Sequence, residues 1–153
     1  MSAEERFAAM NIELPPAPKA IGLYRSLVIV GNLAYTSGHG PLKPDKTLIT
    51  GCVGADLTVE EGYAAARQTG LAMLATLQSE LGSLNRVVRL VKTFGLVRAT
   101  ADFTDHPAVI NGFSELMRDV FGPEGGVAAR SAVGAVSLPA GMAVEVEAVF
   151  EIE

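Results

Sequence analysis

The C-terminal stretch AARSAVGAVSLPAGMAVEVEAVFEIE, from Ala128 to Glu153, constrains the fold of this chain more than any other segment. Between Ala143 and Ile152 the side chains alternate strictly. Val144, Val146, Ala148, Phe150 and Ile152 fall on one face, and Glu145, Glu147, Val149 and Glu151 on the other. A period of two is that of a strand with one buried face, so one side is core and the other carries carboxylates. Upstream, Arg130 heads the run Ser131 to Leu138, which holds no other charged residue. A lone guanidinium entering an apolar strand is costly to bury unless an anion meets it. The turn residues Pro139-Ala140-Gly141 join the two runs and predict a hairpin that sets Arg130 beside the carboxylate face. This hairpin is where the chemistry is expected.

The rest of the chain narrows the setting. Its 153 residues are read as one domain over residues 1–153, with 1–16 as an N-terminal arm. Charged residues make up 19% against about 25% in a typical domain, and mean hydropathy is +0.32. No run of about 18 apolar residues is present to span a bilayer, so the apolar excess points to subunit interfaces. The N-terminus MSAEERFAAM lacks the basic start and apolar core of a signal peptide, and the single Cys52 fits a reducing cytoplasm. A net charge of −5 argues against binding a phosphate backbone, so no nucleic-acid partner is expected.

Read in order, the chain predicts a short helix from Ala3 to Met10 and an extended proline-marked segment, Leu14 to Pro18. Gly31-Asn32 joins Ser26–Val30 to Leu33–Ser37 as a β-hairpin, and part of Thr47–Val53 is read as a short strand. Thr58 and Glu61 have the spacing of a capping box, opening a helix that runs to Leu81 with Gly82 just past its end. A strand over Val87–Val97 follows. A second helix is capped by Asp102, Thr104 or Asp105 and ends at Gly122-Pro123. The order β-β-(β)-α-β-α-β-β gives an α+β fold, two helices on one face of a mixed sheet. Its other face is bare, and identical subunits closing on that face are the economical cover.

The chemistry-bearing residues are few. His39 and His106 are the only histidines and Cys52 has no thiol partner, so no metal site is expected. His39, in Gly38-His39-Gly40-Pro41, reads either as a cleft-lining residue or as an exposed loop histidine. Neither a nucleophile–base grouping nor a nucleotide-binding glycine loop is visible. Arg130, Glu145 and Glu147 remain, and the plainest reading is that Arg130 neutralises a strand carboxylate.

The combination resembles the RidA/YjgF family of small trimeric enamine and imine deaminases, also described as L-PSP endoribonucleases. The likeness covers nearly the whole chain after residue 16. It rests on Ala17 to Tyr24 ending in Gly-x-Tyr, on Gly31-Asn32-Leu33 with Thr36-Ser37-Gly38 and Pro41, and on Val109-Ile110-Asn111. Ala129-Arg130-Ser131-Ala132-Val133, with Leu138-Pro139 and Val144 to Ala148 downstream, completes it. The resemblance implies a chorismate-mutase-like fold and a homotrimer with interfacial sites for a small carboxylate substrate. Arg130 would then bind the substrate carboxylate, Tyr24 would close the pocket, Asn111 would hydrogen-bond there or fix Arg130, and Glu145 would orient or deprotonate a water. His39 and Ala132 complete the substrate-contact positions. The implied reaction, hydrolysis of a 2-imino acid to a 2-keto acid and ammonium, needs no cofactor. The chain departs from the family pattern at Ala132, where cysteine is frequent, at His39, where glutamine often stands, and in a longer Gly122–Val127 segment. The alternative function is a binding module that holds 2-keto acids without hydrolysis.

Overall fold

The computed structural model describes residues 1–153. In chain order the elements are α1 (Ala3–Ala9), β1 (Leu27–Val30), β2 (Leu33–Thr36), α2 (Val59–Leu81), β3 (Val87–Arg98), α3 (His106–Gly125), β4 (Ala129–Ala135) and β5 (Val144–Ile152). One mixed five-stranded sheet has the order β1-β2-β5-β3-β4. All neighbours pair antiparallel except β3 and β4, which run parallel.

Local signals determine most element ends. Thr58 Oγ1 accepts the Glu61 N–H at 3.1 Å while the Glu61 carboxylate accepts the Thr58 N–H, and Gly82 closes α2 at φ 84°. In α3 the helical path breaks at Gly122, where φ is 83°, and Pro123 opens one further turn. Asp105 is the N-cap of α3, without a side-chain cap bond. The expected strand within Thr47–Val53 is reduced to isolated bridges, Thr50 with Met142 and Val53 with Ala99.

The predicted C-terminal hairpin does not form. β4 and β5 share no pairing: β3 lies between them, parallel to β4 (Thr93 opposite Arg130) and antiparallel to β5 (Leu96 opposite Glu145). Pro139–Gly141 does turn, with Gly141 N–H donating to Leu138 O at 3.1 Å, yet the turn carries the chain past β3. β3 is twelve residues long and offers both edges, and α3 delivers the chain back beside it as β4. Parallel pairing of this kind leaves no local mark in the sequence.

Helices α2 and α3 cover one face of the sheet. The even-numbered residues of β5 point into that layer, where Val146 and Phe150 are fully buried against Leu74, Leu77, Phe113 and Leu116. The opposite face is open and apolar in part, with Val28, Val30, Tyr35 and Val133 exposed. The N-terminal arm docks on its own domain: Glu4 accepts hydrogen bonds from Ser83 Oγ (2.6 Å) and the Leu84 N–H (3.3 Å), and Arg6 donates to Val120 O. No helix is long and apolar enough to cross a membrane.

The two helices touch most closely at Gly112, where a Cβ would collide with the backbone carbonyl of Tyr63. Gly112→Ala forces α2 and α3 apart and should destabilise by roughly 1–3 kcal/mol or more. A melting curve should show a drop of several degrees for a chain of this size. An unchanged midpoint would mean that the helices are not packed this tightly.

Candidate functional site

Arg130 stands on β4, one of the two edge strands of the sheet. Even-numbered residues of β4 face α3: a side chain on Gly134 would meet the His106 ring, and Arg130 reaches α3 directly. Its Nη1 donates to Ser114 Oγ at 3.0 Å and its Nη2 to the Pro107 carbonyl at 3.3 Å. Both partners are neutral. The chain holds one ion pair, Arg118 with Asp119, so no carboxylate lies within 4.0 Å of the Arg130 guanidinium. A cavity of about 350 Å³ opens beside it, lined by Asn111, Ser114, Glu115, Arg118 and Arg130 with Val127 and Ala128. Glu115 is held from α2, where the Tyr63 hydroxyl donates to its carboxylate, and that bond pushes the Tyr63 pKa up.

Glu145 lies on the other face of the sheet, two strands away. After β2 the chain continues alongside β5, with His39 and Val146 exchanging backbone hydrogen bonds at 2.8 and 3.0 Å. The segment thereby places Gly38 against the Glu145 carboxyl. A cavity of about 610 Å³ forms here, and Tyr24, Ser37, Gly38, Leu48, Met142 and Glu145 are among its lining residues. The Glu145 carboxyl accepts no hydrogen bond within the chain. Partial burial pushes its pKa above the ordinary carboxylate range, and the Glu147 charge adds to the effect. Tyr24 is half-exposed, its hydroxyl accepting the Ile21 N–H at 3.3 Å.

His39 belongs to the lining of the same cavity, but its ring is turned into the core. It is 3% exposed, with Nδ1 2.7 Å from Ser37 O and Nε2 2.8 Å from Thr76 Oγ1. A carbonyl only accepts, so Nδ1 carries the proton and Nε2 accepts from the threonine. Burial holds its pKa below the usual value, which keeps the ring neutral. Ala132 packs against the core from β4 and lines neither cavity.

Within one chain the predicted site residues therefore form two groups. Tyr24, His39 and Glu145 gather at one cavity, Arg130 and Asn111 at the other, and β3 separates them. Ser114 was not anticipated, although its spacing of three from Asn111 puts the two on one helix face. Leu48 and Met142 come from irregular segments that carry no periodic signal. No three His, Cys, Asp or Glu side chains converge in a way that holds a metal ion.

The model of the family described as "YjgF/chorismate mutase-like, putative endoribonuclease" matches residues 4–144. The chain belongs to the YjgF/RidA family. It is 43% identical to Protein TCP17 of Trypanosoma cruzi, over 94% of this chain and 89% of that protein. A crystal structure of an Agrobacterium tumefaciens protein of unknown function is 36% identical, covers 99% of this chain and 94% of its own, and superposes with a TM-score of 0.89. RidA from an Antarctic Psychrobacter is 27% identical over 92% of this chain and 98% of its own, with a TM-score of 0.61. This YjgF/RidA chain thus keeps the family fold over most of its length.

The raised pKa of Glu145 makes a stability prediction. Its ionisation costs the folded state, and that cost is absent below the unfolded-state pKa and complete once pH rises through the folded one. Glu145→Gln should therefore raise the melting temperature near neutral pH. The gain should vanish as pH falls through the ordinary carboxylate range. A pH-independent gain would show that the charge is not its source.

Proposed function

We propose that the protein hydrolyses 2-imino acids to 2-keto acids and ammonia, in clefts built from two neighbouring subunits of a homotrimer. The observation that carries this reading is Arg130. Two of its five N–H donors are used on neutral oxygens, no carboxylate lies within 4.0 Å of it, and a polar cavity that it shares with Glu115 adjoins it. The remaining donors suit a carboxylate held bidentately. The unpaired Glu145 carboxyl lies in the other cavity, and the partly apolar open face of the sheet needs a cover. A second copy that joins one subunit's Arg130 cavity to another's Glu145 cavity, with the substrate lying between the two side chains, covers the face and completes the cleft.

In that cleft Arg130 holds the substrate carboxylate and Asn111, beside it on α3, offers an amide to the same end. Water attacks the imine carbon while Glu145, its basicity raised by partial burial, takes the water's proton. The C=N π electrons move to nitrogen, which takes that proton back from Glu145 and becomes the amine of a carbinolamine. The hydroxyl proton is then passed through Glu145 to the amine, the carbon–nitrogen bond breaks, ammonia leaves and the oxygen's electrons form the keto C=O. Tyr24, which borders the Glu145 cavity, closes the pocket over the substrate. The reaction consumes only water. Several relatives carry the endoribonuclease name, but a net charge of −5 is poorly suited to an RNA backbone.

Sedimentation equilibrium at micromolar concentration should return about three times the 16.0 kDa chain mass. A stable monomer would remove the shared cleft. Arg130→Ala should weaken binding of 2-oxobutyrate by roughly 2–5 kcal/mol, or about 30- to several-thousand-fold. Because no carboxylate is left orphaned, its melting temperature should stay within about two degrees of the parent. Early melting with unchanged keto-acid binding, read by calorimetric titration beside the melting curve, would make Arg130 a structural residue instead.

A further inference from the structure

The wall of the larger cavity is built by an alternation. The His39 ring is directed at α2, so in this extended segment its neighbours Gly38 and Gly40 face the opposite way, into the cavity. A Cβ on Gly38 would sit 2.8 Å from the Glu145 carboxyl carbon. A Cβ on Gly40 would run into Met142 Sδ and come within 3.6 Å of Leu48 Cδ2. Two residues of extended chain cover roughly 7 Å. The carboxyl group and an apolar floor thus lie along one wall, against two backbone positions about that distance apart.

The floor is preformed. Leu42 and Leu48 are bridge partners across a miniature hairpin, and both line the cavity. Asp45 Oδ1 closes its turn by accepting from the Thr47 N–H (2.9 Å) and Oγ1 (2.6 Å), and Lys43 N–H donates to Thr47 O at 2.9 Å. Gln68 ties the hairpin to α2 by donating to Leu42 O at 2.7 Å. A substrate whose reacting carbon sits beside Glu145 reaches this floor only with a long side chain. A methyl extends about 1.5 Å, one carbon–carbon bond, and stops well short.

We infer that the site prefers 2-imino acids with a bulky apolar side chain, of the branched-chain or aromatic type, over the two- to four-carbon acids. Leu42, Leu48 and Met142 select that side chain. This rests on the deaminase reading given above. Pocket contacts to added methylenes are worth roughly 10- to 200-fold in discrimination, and the cavity of about 610 Å³ falls in the range that accepts ligands far larger than pyruvate.

The test generates imines in place, from L-alanine, L-leucine, L-phenylalanine and L-glutamate with an amino-acid oxidase and catalase. Semicarbazide then traps what the full-length protein has not hydrolysed. Leucine- or phenylalanine-derived imine should be hydrolysed with a kcat/KM at least about tenfold above the alanine-derived one. Leu48→Asn should lower that ratio by a similar factor. A flat ratio, or one untouched by Leu48→Asn, overturns the inference while leaving the deaminase reading standing. Preference for the glutamate-derived imine also overturns it, and assigns the selection to Lys19 and Lys46, which line the same cavity. If no imine is hydrolysed the deaminase reading fails, and calorimetry decides the pocket alone. About tenfold tighter binding of 4-methyl-2-oxopentanoate than of pyruvate then supports the apolar floor, and equal binding overturns it.

Discussion

Strand β3 is hydrogen-bonded along both edges, to β4 on one side and β5 on the other, and the placement of Arg130 and Glu145 follows from that double pairing. Adjacent strands in register share their faces, so Thr93, Arg130 and Ala148 lie toward the helices while Leu96, Glu145 and Val133 lie toward the open side. Inserting β3 between two strands that are consecutive in sequence holds the guanidinium and the carboxylate two strands apart, and the two registers set them on opposite faces. A shift of one residue in the β3–β5 register would turn the glutamates of β5 toward the helices, and one in the β3–β4 register would turn Arg130 to the open side.

Two ionisable groups consequently stand in partly desolvated positions without an ion-pair partner within 4.0 Å. Arg130 is satisfied by a hydroxyl and a carbonyl, which meet its geometry and leave its charge unneutralised. Glu145 has neither a donor nor a cation, and burial together with Glu147 raises its pKa. Desolvated, uncompensated charge is a cost to folding, and chains of marginal stability retain such groups where they act on something else. His39 makes a useful contrast. Its ring is more deeply buried, yet both nitrogens are bonded and burial keeps it neutral, so it serves to pin the Ser37–Gly40 segment to α2.

The packing beneath this arrangement is conventional. Helices α2 and α3 approach closely because Gly112 leaves room for the Tyr63 carbonyl, and together they cover one face with Leu, Met and Phe side chains. The open face keeps valines and a tyrosine in solvent beside a row of glutamates. That mixed surface lies on the same side of the sheet as Glu145.

Much of the fold is written locally. The capping box at Thr58, the left-handed Gly82, the Gly31-Asn32 turn and the alternation from Val144 to Ile152 each act within a few residues, and the structure has the elements that these signals mark. Arg130 and Glu145 are equally visible, because a charge interrupting an apolar pattern needs no neighbour to be seen. What the sequence could not carry is the partner of each strand. Pro139–Gly141 reads as a hairpin turn and does turn, but β4 takes its hydrogen bonds from β3, a strand more than thirty residues earlier by register. Leu48, Met142 and Gly40 meet in the same way, through bridges between irregular segments. The sequence by itself determined the helices, the strand faces and the presence of an unmatched cation and acid. Only the tertiary structure decided that the two lie in separate cavities, because long-range strand pairing is settled by the packing of the whole sheet against its helices and by no local preference.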